Sequence, residues 1–135
     1  MIERSPAQAD PRVDPLVRSA DELLAIEVVD SDGERLGRLS EIMLDVPAGR
    51  IAYGVLTPYD SADVPGRLHA IPWELLRSCE RAGMLRLDAD REVLWSAPSF
   101  EPDEWPDMSD RRWSAELHAH YGLVPYWTRG RQASE

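Results

Sequence analysis

The stretch VVDSDGERLGRLSEIMLDVPAGRIAYGVL, residues 28–56, decides the fold. Its first turn is written in Asp30-Ser31-Asp32-Gly33, where aspartates hydrogen-bond their own backbone and glycine accepts positive φ. A second turn is written in DVPAGR, residues 45–50. Between them, Leu36 lies on one parity and Leu39 on the other, and Ile42 and Leu44 return to the first. A strand of period two cannot bury all four on one face. One extra residue near Ser40 and Glu41 realigns them, which predicts a β-bulge there. After the second turn, Ile51, Tyr53 and Val55 alternate with Ala52, Gly54 and Leu56, the pattern of a third strand.

Working outward, Leu24, Ile26 and Val28 alternate as a strand that starts near Leu23. Residues 57–66 hold prolines, aspartates and small residues and read as an exposed loop. Leu68 to Ile71 resumes a strand that Pro72 ends or leaves at an edge. WELLRSCERAG, residues 73–83, suits about two helical turns stopped by Gly83. Met84 to Leu87 is one more short strand, and Asp88 or Asp90 can N-cap a helical turn through Val93 and Leu94. Five or six short strands at hairpin spacing predict a mainly β protein, a small antiparallel β-barrel with short helical turns.

The barrel accounts for residues 21–97. Residues 1–20 carry three prolines and no periodic apolar positions, so they read as a flexible leader. Residues 98–135 open with PSFEPDEWPDMSDRRW, in which five carboxylates precede the first base. Composition alone suggests disorder, but Phe100, Trp105, Trp113, Tyr121, Tyr126 and Trp127 need a core to enter. This segment is expected to be a C-terminal strap packing on the barrel, with its last residues frayed. Within it, Ser109 as N-cap and Gly122 as C′ residue frame a helix from Asp110 to Tyr121, with Trp113, Leu117, His120 and Tyr121 on one stripe.

The chain has 135 residues, one cysteine and a formal charge of −10, and all 15 of its basic residues are arginine. That length favours one core. The negative field disfavours direct binding of nucleic acid, which depends on basic side chains releasing counterions. Cys79 alone excludes a disulfide framework, no apolar run reaches membrane-span length, and no signal segment is evident, so cytoplasmic location is the expectation.

These residues resemble the PRC-barrel domain family, named after the cytoplasmic domain of the photosynthetic reaction-centre H subunit; a related barrel forms part of a ribosome-maturation factor. The resemblance runs over about residues 22–97 and rests on Val28, Val29, Asp30, Gly33, Gly37, Leu39, Asp45, Gly49, Arg50 and Tyr53, followed by Ile71, Pro72 and Trp73. APSFEPDEW, PDMSD and YGLVPYW resemble the extension of some stand-alone bacterial members. PYDSADVPG departs from the glycine-rich, apolar loop that many members carry after the third strand. The family has no shared catalytic residues, so the resemblance implies a non-enzymatic interaction or assembly module that self-associates, expected here as a homodimer with an unspecified protein partner. A ribosome-assembly role is one alternative; a small-ligand or metal-binding protein is another.

The candidate anchors for packing or interaction are Trp73, Trp105, Trp113, Tyr121, Tyr126 and Trp127. His118 and His120 are the candidate metal ligands, but on a helix residues two apart diverge, and surface or partly packed histidines are the favoured reading. Asp30, Asp32 and Glu34 with His69 could suggest acid–base chemistry, yet turn hydrogen bonding already explains the aspartates. No catalytic residue and no cofactor is expected.

Overall fold

In the computed structural model, Asp30 builds the first turn: its Oδ1 accepts the N–H groups of Asp32 and Glu34, each at 2.9 Å, and Gly33 takes φ +85°. The structure describes residues 17–59, 66–79 and 83–128. Around this turn run β1 (Glu27–Val29), β2 (Arg35–Asp45) and β3 (Arg50–Pro58), then β4 (His69–Pro72), a 3-10 turn at Trp73–Leu75, β5 (Leu76–Ser78) and β6 (Met84–Leu87). Among the described residues there are also three α-helices, α1 (Ala20–Leu23), α2 (Arg91–Ser96) and α3 (Arg111–His120). The strands form one curled sheet in the order β4-β3-β2-β1-β6-β5. Its two outer strands, β4 and β5, follow each other in the chain through the 3-10 corner. Every pairing is antiparallel except β1 with β6, which is parallel.

The predicted bulge is present: the β2–β3 register skips between Leu39 and Glu41. Ser40, the extra residue, donates its hydroxyl to the Val55 carbonyl at 3.1 Å and accepts from Thr57 Oγ1 at 2.9 Å. A second irregularity between Met43 and Leu44 was not foreseen. Leu44 is thereby left 62% exposed rather than buried with Leu36 and Leu39.

Three local expectations are corrected. The first strand begins at Glu27, not near Leu23, because Ser19 and Glu22 form a capping box that starts α1, and Ala25 then turns the chain through φ +67°. WELLRSCERAG does not form two helical turns: Leu76 and Ser78 pair with Leu87 and Leu85, so pairing to β6 overrides the local helical spacing. Residues 80–82 of that segment lie outside the described residues, as do the first sixteen residues of the expected leader, most of the 57–66 loop and residues 129–135. On α3 the cap is Asp110, whose Oδ1 accepts from the Arg112 N–H at 2.9 Å; Ser109 instead gives its N–H to Asp107. Gly122 does follow the helix at φ +72°.

Two apolar clusters flank β3 and β4. Inside the curl, Val28, Leu36, Leu39, Leu56, Ile71, Leu76, Leu87 and Leu94 pack together. On the outer side, Tyr53, Val55, Leu68 and Ala70 meet Phe100, Leu117 and Tyr126. Both faces of β4 are therefore buried, which is why its four residues read as an unbroken buried run. Phe100 also exchanges two backbone hydrogen bonds with Leu68, at 2.8 and 3.0 Å.

Candidate functional site

The side chains that could carry chemistry are distributed rather than convergent. His69 shares its strand face with Ile71 and is fully buried, its ring edge-on to Trp95 at a centroid distance of 5.3 Å. Neither ring nitrogen has a hydrogen-bond partner among the described residues, so no hydrogen bond joins it to Asp30, Asp32 or Glu34. Burial, with a lesser contribution from the Arg67 charge, pushes its pKa down to about 4. Asp30 is itself buried, consumed by its turn and by Arg91 at 3.5 Å.

A pH dependence follows. The unfolded chain protonates His69 near its ordinary 6.5, whereas the folded chain resists until about 4. The neutral-histidine contribution is complete above the unfolded value and is lost as pH falls from 6.5 to 4, reaching about 3 kcal/mol at the acid end. Denaturant melts of the wild type and His69→Leu across that range should diverge, the variant losing less stability; parallel curves would show that His69 titrates normally when folded.

His118 and His120 are not brought together. His118 is fully buried, which corrects the expectation of a surface or partly packed ring; its Nδ1–H donates to the Ser114 carbonyl at 2.7 Å, and its ring meets Tyr53, Tyr126 and Trp127. His120 is exposed and donates from Nε2 to the Val93 carbonyl at 2.8 Å, tying α3 to α2. The residues of α3 that are buried are Ser114, Leu117 and His118; Trp113, Leu117 and Tyr121 of the expected stripe pack on the clusters, and His120 does not. Among the described residues no group of three or more histidine, cysteine or acidic side chains is placed to hold a metal ion.

Of the aromatic anchors, Trp73 sits against the inner cluster at the 3-10 corner. Trp105 lies on Phe100 at 5.0 Å, donates its indole N–H to the Pro102 carbonyl at 2.9 Å and stays 39% exposed. Trp113 meets Tyr53 edge-on at 5.6 Å, and Tyr121 touches both clusters. Burial pushes the Tyr121 phenol up. Tyr126 donates its hydroxyl to Asp45, while Trp127 packs on His118 and Tyr126 under the Arg111 guanidinium at 4.2 Å.

The Asp45–Tyr126 bond marks a cleft of about 380 Å³ where the β2–β3 hairpin tip meets α3. Met43, Leu44, Val46 and Pro47 form one wall, Met108, Ser109 and Arg111 another, with Tyr53, Ser114 and Tyr126 among its other lining residues. Its electrostatics are internally settled. The hydrogen bond from Tyr126, then those of the turn and Arg111, hold the Asp45 carboxyl below the usual range, while burial and that same bond push Tyr126 up to about 12. Arg50 lies 4.0 Å over the Tyr126 ring. Its exposed lining includes the apolar Leu44, 62% exposed, and Val46, 77% exposed, together with Ser109 and Arg111. Sequence reasoning named Tyr126 but missed this site, because its walls come from segments with no common spacing.

A profile of the PRC-barrel domain family matches residues 16–94. No curated protein matches the chain. Among similar solved structures is one described as a putative 16S ribosomal RNA processing protein RimM from Pseudomonas aeruginosa, 20% identical with a TM-score of 0.44, covering 62% of this chain. The chain spans 50% of that protein. No helix among the described residues is long and apolar enough to cross a membrane.

Proposed function

The chain belongs to the PRC-barrel domain family, and from that premise we propose that it is a non-catalytic interaction module that assembles with a second copy of itself and serves a larger protein complex. The observation that carries this reading is the hairpin tip, where two large aliphatic side chains, Leu44 and Val46, stand open to solvent on the wall of a cleft of mixed apolar and polar lining. Adjacent exposures of that kind mark association surfaces on soluble proteins. The polar groups nearby support binding over chemistry: Asp45 and Tyr126 are hydrogen-bonded to each other, Arg50 stacks on the Tyr126 ring, and Arg111 lies 3.9 Å from Asp45. The free thiol of Cys79 suits a reducing cytoplasm.

Light scattering at tens of micromolar should return twice the 15.3 kDa chain mass. A clean monomer there would remove self-association from the reading. Affinity purification from the native host reads the other half: recovery of a stoichiometric, salt-resistant set of ribosomal proteins would direct the assignment toward ribosome assembly.

A further inference from the structure

We propose that the outer face of β5, β6, β1 and β2 docks an acidic segment of a partner protein, whose carboxylates meet a row of arginines there. This surface shares no residue with the cleft at the hairpin tip and does not depend on self-association. The row follows from the strand register. Arg77 of β5 stands directly opposite Arg86 of β6, Arg86 opposite Val29 of β1, and Val29 opposite Arg35 of β2. Cross-strand partners share one face of a sheet, and the alternate residues Leu76, Leu85 and Val28 point into the inner cluster. Val29 is buried, so the row presents three exposed arginines to solvent.

Like charges directly opposite on neighbouring strands destabilise a sheet. Asp88 reaches Arg77 at 3.5 Å and Glu27 reaches Arg35 at 3.4 Å, but Arg86, the middle cation, has no ion-pair partner among the described residues. In a chain of formal charge −10, an arginine pair that the fold leaves uncompensated is a local conflict, and such conflicts belong to binding surfaces. Carboxylate is the complement that a guanidinium holds best, through two parallel hydrogen bonds. The spans also agree: from β5 to β2 is about 14 Å at ~4.8 Å per strand, and three alternate carboxylates of an extended segment cover about 13 Å at ~3.3 Å per residue. Nucleic acid fits less well. It brings a charge at every nucleotide, which Glu27, Asp88 and the rest of this acidic chain repel, and the row has no ring on which a base could stack.

Fluorescence anisotropy on the full chain at low ionic strength tests this, with a short labelled peptide that alternates glutamate and alanine as the probe. The wild type should bind the peptide saturably, and a single-stranded RNA of equal charge more weakly. Arg86→Gln should weaken peptide binding and Arg86→Glu should weaken it about ten-fold. Neither variant should melt lower than the wild type, because Arg86 is exposed and faces Arg77. Arg112→Glu makes the same change in net charge at an exposed position of α3 and should leave the affinity unchanged. No peptide binding, Arg86 variants that bind like the wild type, an equal loss in Arg112→Glu, or RNA bound as tightly as the peptide would each overturn the proposal. None of these results touches the hairpin tip, whose test is the oligomeric state.

Discussion

A chain ended after Ala97 will not hold a folded barrel in solution: it will aggregate, or melt without a cooperative transition. We propose that residues 98–128 act as a strap that belongs to the folding unit. The cut removes Phe100, Leu117 and Tyr126, which bury Tyr53, Val55, Leu68 and Ala70 from the outer side of β3 and β4. It also strips the two backbone bonds that Phe100 exchanges with Leu68. Ordering such a segment costs about 1–2 kcal/mol of backbone entropy per residue, so only substantial burial holds it. Point substitutions should grade with that burial. Leu117, 1% exposed, should cost about 2–5 kcal/mol as alanine, and half-buried Trp113 at its Tyr53 edge should cost less. Thermal melts and solubility of the three proteins decide the point. An Ala97-terminated chain that stays soluble with an unchanged midpoint would make residues 98–128 a tail with a separate task.

Gly37→Ala should be the most damaging conservative change in the barrel, at least ~3 kcal/mol, the upper end for overpacking. A β-carbon at Gly37 would lie 2.2 Å from the Thr57 carbonyl oxygen and 2.8 Å from Pro58 Cα. Both atoms are backbone of the neighbouring strand, so no rotamer change relieves the clash; β2 and β3 must part. Gly33 supplies the contrast. Its added methyl would meet nothing within 4 Å, and its cost comes only from φ +85°, about 1–2 kcal/mol. Chemical denaturation of Gly37→Ala and Gly33→Ala should therefore differ clearly. Equal losses would mean that the strands adjust and that the close approach is not what selects glycine.

The strength and the limits of the sequence reading have the same source. Asp30-Ser31-Asp32-Gly33 and the parity break at Ser40 are local signals, set by hydrogen bonds a few residues long or by the two-residue strand period, and both features are present. β5 was missed because Trp73, Leu75 and Leu76 fit a helix turn as well as a strand, and the choice is made by Leu85 and Leu87 in another segment. His118 was read as a surface or partly packed ring because the burial of a residue on a short helix depends on which residues it meets, here Tyr53, Tyr126 and Trp127. The cleft was illegible for the same reason: Asp45 and Tyr126 become neighbours only when the last segment lies over the β2–β3 hairpin.

The parallel seam between β1 and β6 also sets an order in time. Strands β1, β2 and β3 pair as consecutive hairpins and can form as they are synthesised, but the other edge of Val28 must wait for Leu85. Until then the nascent chain carries an unpaired strand edge next to a half-built apolar interior, the condition in which strands add to foreign ones. The emerging polypeptide is thus exposed to misassociation along β1 while it is being made, and completion of the sixth strand covers that edge.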